Sequence, residues 1–108
     1  VSERELKALC RAVGDVSRTR MIRYLAGQRE VSVSDLADRL VLSQPLASWH
    51  LRILKRAGIV TTRKDGRQVY CALDRRRIAQ FQEALADLIQ TRTGQEASTL
   101  LAEPSPVS

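Results

Sequence analysis

The chain has 108 residues, 44% of them apolar, which suits one domain with a modest core and is short for two. Aromatic residues make up only 4%, so the core must be aliphatic, and a partner subunit is one way to enlarge it. A net charge of +6 and a pI near 10.1 favour a polyanionic partner, while the lack of a long apolar run or an apolar signal core argues against membrane-spanning and secreted classes. A cytoplasmic location is expected, and Cys10 and Cys71, which fit no disulfide framework or C-x-x-C pair, are expected as thiols.

Leu6, Leu9, Cys10 and Val13 recur at helical spacing among charged residues and predict an amphipathic helix over roughly 3–13. Gly14 ends it. Asp15 can cap a second helix over about 16–26, with Met21, Ile22, Leu25 and Ala26 as its apolar face and Gly27 as its stop. Ser32-Val33-Ser34-Asp35 reads as a capping box with aspartate in the acidic place, opening a short helix carried by Leu36, Ala37 and Leu40. Val41-Leu42 is the turn into a fourth helix.

That fourth helix lies in L-S-Q-P-L-A-S-W-H-L-R-I-L-K-R-A-G-I-V, from Leu42 to Val60, with Ser43 as cap and Gly58 as stop. If Ala47, Leu51 and Leu54 are buried, a rotation of about 100° per residue sends Pro45, Ser48, Trp49, Arg52 and Arg56 to the other side. This outer face is small, aromatic and cationic, with no acid. Two short helices joined by a tight turn, the second with such a face, form the pattern of a helix-turn-helix placed against DNA. Ser43 and the first free backbone amides suit a phosphate, whereas Gln44, Ser48, Trp49 and Arg52 suit base edges in the major groove. His50 falls near the border of the buried stripe and reads as a packed or phosphate-contacting side chain.

After Gly58 the period becomes two. Ile59 to Lys64 and Arg67 to Leu73 flank Asp65-Gly66, a type I′ turn dipeptide, and predict a hairpin pairing Lys64 with Arg67, Arg63 with Gln68, Thr62 with Val69 and Val60 with Cys71. Arg63, Lys64 and Arg67 at its tip are expected to meet phosphates. The last periodic segment, about Arg75 to Thr91, carries Ile78, Phe81, Leu85, Leu88 and Ile89 on one stripe close to a heptad seam. Since the first and last helices hold more apolar surface than the domain needs, an isologous homodimer through Leu6, Leu9, Phe81, Leu85 and Leu88 is expected. Residues 1–93 form the domain in this reading, and 94–108, rich in Thr, Ser, Glu and Pro, a disordered tail.

The segments A-V-G-D-V-S-R-T-R-M-I-R-Y-L, D-L-A-D-R-L, S-Q-P-L-A-S-W-H-L-R-I-L-K-R-A-G-I-V and D-G-R-Q-V-Y-C-A-L, in this order and spacing, resemble the arsenic-repressor (ArsR/SmtB) family of bacterial regulators over residues 5 to about 90. The resemblance implies a winged helix-turn-helix homodimer, four helices, a two-stranded β-wing and a fifth helix, that binds an inverted-repeat operator and releases it when an effector binds. It also implies that the first and last helices make the dimer. Val16 departs from the family's usual proline.

Many metal sensors of that family carry E-x-C-x-C-D-L, where this chain has Glu30-Val31-Ser32-Val33-Ser34-Asp35-Leu36, with serine at both thiol positions. Serine is a poor ligand for soft ions. The family's other site, on the last helix, needs aspartate and histidines, but only Asp74, Glu83 and Asp87 stand there and the one histidine is His50. No metal site and no cofactor are therefore expected. Cys71, on the strand face of Val69 and Leu73, reads as a small buried hydrophobe, and Cys10 as part of the apolar stripe of the first helix. A dimeric DNA-binding repressor leads. A thiol- or metal-responsive variant using Cys10 or Cys71, and a winged helix for protein contacts, are the alternatives. Nothing supports catalysis, because the chain has one histidine, no Gly-rich phosphate loop and no paired metal motif.

Overall fold

The computed structural model describes residues 1–90. The expected end of the domain at residue 93, the disordered tail and the last residue of the final helix lie outside the described residues. Five helices start at short polar side chains, each accepting a hydrogen bond from the backbone amide three residues on: Ser2 from Glu5 at 3.1 Å, Asp15 from Arg18 at 3.1 Å, Ser32 from Asp35 at 3.1 Å, Ser43 from Leu46 at 3.2 Å and Asp74 from Arg77 at 3.0 Å. The helices they open are α1 (Glu3–Val13), α2 (Val16–Ala26), α3 (Val33–Leu40), α4 (Gln44–Arg56) and α5 (Arg75–Gln90). The reciprocal capping box stands at Ser2 and Glu5, where the Ser2 amide donates back to Glu5 at 2.8 Å. At Ser32 only the first half forms, because Asp35 is one methylene shorter than glutamate.

Two helix ends have the same wrap. At the end of α4, Gly58 with φ 85° lets its own amide reach the Lys55 carbonyl and the Ile59 amide reach that of Leu54, a Schellman motif. A Cβ on Gly58 would stand 3.0 Å from Arg77 Nε. The turn between α3 and α4 repeats the motif with Val41 in the left-handed position at φ 55° and ψ 51°, its amide bonded to Asp38 and that of Leu42 to Ala37.

Strands β1 (Val31–Ser32), β2 (Val60–Asp65) and β3 (Gln68–Leu73) form an antiparallel sheet in the order β1-β3-β2. The wing hairpin is the expected one, and β1 adds a third strand that two residues of sequence could not announce. The hairpin register differs from the expected one: Thr62 faces Cys71, Arg63 faces Tyr70, Lys64 faces Val69 and Asp65 faces Gln68. The turn residues are thus Gly66 and Arg67, with positive φ at Gly66 alone, 63°, as a type II′ turn with glycine first requires. This register removes the opposition of Lys64 and Arg67 and sets the Arg63 guanidinium 4.6 Å from the centre of the Tyr70 ring.

The core fills the space between the helices and one side of the sheet. Met21, Leu25, Leu36, Leu54, Ile59 and Cys71 are the largest fully buried side chains among the described residues, and Phe81 anchors α5 to the core. Each such aliphatic side chain contributes roughly 1.5–3 kcal/mol by leaving water. The Cys71 thiol donates to the Val31 carbonyl at 3.4 Å, and burial pushes its pKa up to about 11. Two expectations are corrected. Ala12, not Cys10, is the buried residue of α1, and Cys10 is exposed. Phe81 belongs to the core of its own protomer rather than to an outward stripe, because α5 turns that position onto α1 and α2, with the Arg77 guanidinium 5.0 Å over its ring.

Candidate nucleic-acid interface

The alternation of buried and exposed residues along α4 matches its sequence period: Ala47, Leu51 and Leu54 are buried, and Ser48, Trp49, Arg52, Lys55 and Arg56 are exposed. Ser43, at the tip of the helix, spends its oxygen on the Leu46 amide but keeps its O–H to donate. Pro45 has no N–H and the Ala47 amide is bonded to the Ser43 carbonyl, so the amide of Gln44 is the one left for an anion in the first turn. The Gln44 side chain donates to Ser34 Oγ at 2.8 Å, which fastens the start of α4 to that of α3.

Trp49 is 49% exposed, and its inner edge is fixed. Its ring meets His50 edge-on at 5.0 Å, and the Arg18 guanidinium stands 5.9 Å from its centre. His50 is a packed histidine: Arg18 donates to its Nδ1 at 3.1 Å and to the Ala12 carbonyl at 2.7 Å, and an Asp15 oxygen lies 3.9 Å away. Nδ1 is therefore an unprotonated acceptor in this arrangement. Asp15 is itself held below the usual carboxylate range, first by the Arg18 amide.

Ser48, Arg52 and Lys55 meet Thr62 and Val69 of the hairpin around a shallow depression of about 210 Å³. Strand alternation puts Lys64 on the same face as Thr62, and Arg63 on the opposite one. Lys64 and Arg67 are exposed. Arg63 is exposed too, but both oxygens of Glu30 accept from it, at 2.7 and 2.6 Å. That contact holds the Glu30 carboxyl below its ordinary range and raises Arg63. Glu30, Tyr70 and Arg18 were missed as supporting residues, because their partners lie across the fold and no local spacing signals them.

On the far side, Leu6 and Leu9 are half-buried, while Leu85 and Leu88 are 44% and 60% exposed. Leu9, Phe81 and Leu85 line a wholly apolar depression of about 170 Å³. Among the described residues no three His, Cys, Asp or Glu side chains come together to hold a metal ion, and no helix is long and apolar enough to cross a membrane. Ser32 and Ser34 are engaged in capping α3 and in holding Gln44.

A tight helix-turn-helix followed by a hairpin beside its second helix defines a winged helix-turn-helix protein. The family model for bacterial regulatory proteins of the arsR family matches residues 15–62. An uncharacterized HTH-type transcriptional regulator of Bacillus subtilis, YceK, is 32% identical over 93 residues, covering 83% of this chain and 89% of that protein. The chain belongs to the arsR family. A cadmium resistance transcriptional regulatory protein CadC homolog of Staphylococcus aureus is 37% identical over 73 residues, 68% of this chain, but the match spans only 60% of that relative's length. An ArsR-like transcriptional regulator from Rhodococcus sp. RHA1 superposes with a TM-score of 0.76 at 25% identity, covering 94% of this chain and 95% of that one. HlyU from Vibrio cholerae N16961 does so with a TM-score of 0.62 at 30% identity, covering 82% and 94%.

Proposed function

We propose that this chain is a dimeric, sequence-specific transcriptional repressor that binds an inverted-repeat operator in the cytoplasm. The observation that carries the reading is the acid-free outer face of α4, joined through the depression at Thr62 and Val69 to the cationic wing. A helix of this size fits the major groove, and a hairpin beside it reaches the adjoining backbone. Arg52 and Gln44 read bases, Gln44 after leaving Ser34. Ser48 and Trp49 pack against base edges or the sugar wall, and Ser43, Lys64 and Arg67 hold phosphates. Arg63, turned to the other face and held by Glu30, supports the wing and contacts DNA less than its neighbours do.

The exposed Leu85 and Leu88, with Leu6 and Leu9 beside them, are the surface we assign to the second subunit. Two subunits would present two copies of α4 to successive turns of DNA, which is why the operator should be an inverted repeat. The names of several relatives connect them with metals, but the serines at 32 and 34 supply no soft-ion ligand at the start of α3, so metal release is not part of the proposal. A thiol switch at Cys71 is disfavoured by its burial and raised pKa.

A footprint on the chain's own upstream region, repeated across salt concentrations, tests the reading. Affinity should fall with a log-log slope of about 0.9 per phosphate neutralised. Binding that hardly changes with salt would overturn it. Sedimentation of the protein with Leu85→Glu and Leu88→Glu should show monomer where the wild type shows dimer.

A further inference from the structure

A second cationic surface lies beside α4, and the reading above gives no role to its row of charges on α1. Along α1, Arg4, Lys7 and Arg11 follow one another at spacings of three and four, which puts them on one helix face. They line a groove of about 410 Å³ with Arg56 at the end of α4 and Arg18 of α2, over a floor of alanine side chains and Ile53. No carboxylate lines it, and the ion pairs among the described residues involve other cations. The acids of α1 are sorted to other sides: Glu5 pairs with Arg77, and Glu3 faces the depression that holds Glu83 and Asp87. Arg18 is already engaged with the Ala12 carbonyl and His50 beside Asp15, and the other four like charges, Arg4, Lys7, Arg11 and Arg56, repel each other unless an anion lies between them.

Two features decide what kind of anion fits. The row from Arg4 to Arg11 runs seven residues along α1, roughly 10 Å at about 1.5 Å per residue, which is about three rises of a DNA strand at about 3.4 Å each. A single small anion would meet only part of it. The groove is also continuous with the outer face of α4, through Arg56 on one side and through Arg18, beside Trp49, on the other. We propose that the groove between α1 and the end of α4 seats a stretch of duplex sugar-phosphate backbone outside the major groove that α4 enters. The proposal rests on the reading of α4 as the DNA-contacting helix. It adds an affinity-giving strip with no sequence preference, since phosphates carry no base identity.

The test compares the full-length wild type with Arg4→Ser/Lys7→Ser/Arg11→Ser, and with the milder Arg4→Gln/Lys7→Gln in case the triple variant unfolds. Affinity for a long operator duplex is measured against salt, and phosphate contacts are mapped by ethylation interference. The log-log slope should fall by about 0.9 for each contact removed, so that across a fourfold rise in salt the variant loses roughly 3.5-fold less affinity per contact. Interference should vanish at the phosphates assigned to α1 and persist at those of α4 and the wing. An unchanged slope with unchanged interference in a folded variant would overturn the proposal while leaving α4 as the DNA helix. Unchanged DNA contacts with loss of thermal protection by inorganic pyrophosphate would reassign the groove to a small anion. A wild type that binds no duplex would remove the underlying reading as well.

Discussion

Arg63 donates from Nε and Nη2 to the two oxygens of Glu30, and Tyr70 stacks beneath the same guanidinium. Glu30 immediately precedes β1 at one edge of the sheet, Arg63 sits on β2 at the other edge, and Tyr70 lies on the strand between them. One bidentate pair therefore braces the wing across its full width. Glu30→Gln keeps the shape and removes the charge. Because the Arg63 side chain is 53% exposed and that of Glu30 33%, solvent screens the pair and it is worth little in isolation, and its effect should show in the position of Lys64 and Arg67. We expect affinity for operator and random DNA to fall by roughly two- to fivefold with the salt slope unchanged. Tighter binding with a steeper slope in gel shifts would mean that Glu30 had kept Arg63 from a phosphate.

Acid should destabilise the fold through three carboxyls. The Ser2 amide, followed by Arg77, lowers Glu5 from 4.5 to about 2; the Arg18 amide lowers Asp15, and Arg63 lowers Glu30. Each folded-state pKa lies below its unfolded value, so each contribution is complete above the unfolded value and is lost as pH falls through the folded one. For Glu5 that window runs from about 4.5 to about 2. Urea midpoints measured at steps from neutral pH down to 3 should drop across it, and Glu5→Gln should flatten the drop. An acid limb of the same steepness in that variant would remove Glu5 from the account.

The helix caps at Asp15, Ser32 and Ser43 and most of the apolar faces were legible because each is local, a short polar residue beside a helical period, whereas the caps at Ser2 and Asp74 were not read. The hairpin register was not. A slip of two residues leaves every side chain on the same face, so hydrophobic alternation cannot choose between the expected pairing and the observed one. Asp65-Gly66 suits a type I′ turn by composition, yet the sheet prefers Arg63 opposite Tyr70 and Lys64 opposite Val69. The exposed face of α4 followed from its period, but the engagement of Arg63 with Glu30 and of Arg18 with His50 joins residues more than 30 apart in sequence. The placement of Cys10 failed for a smaller reason: α1 is rotated so that Ala12 faces the core, which leaves Cys10 at the border.

Val41 is strained. It is 87% exposed, has φ 55°, and gains no packing for holding a β-branched side chain in the left-handed region. Its conformation is imposed by the Schellman bonds that turn α3 into α4. Glycine adopts that conformation without the Cβ penalty of roughly 1–2 kcal/mol, though it regains some unfolded-state entropy. Val41→Gly should raise stability by about 0.5–1 kcal/mol in urea unfolding and leave DNA affinity unchanged. Destabilisation would show that the side chain supports the turn in a way its exposure hides.

Arg52 and Arg67 are both exposed cations, and the proposed interface gives them different work. Arg52 projects from the middle of the outer face of α4, beside Ser48 and Lys55, where a helix in the major groove brings side chains to base edges. Arg67 is the second residue of the hairpin turn, beyond the paired strands, where it can reach backbone but not the groove floor that α4 occupies. A guanidinium that bonds guanine loses its partner when the base changes, whereas one that bonds phosphate does not. Arg52→Ala should therefore cost about 1–3 kcal/mol on the operator and much less on random DNA, while Arg67→Ala should weaken both alike and lower the salt slope by about one. Competition binding with operator and scrambled duplexes measures both ratios. Equal losses on the two duplexes for Arg52→Ala would make it a phosphate contact and leave base reading to Gln44, Ser48 and Trp49.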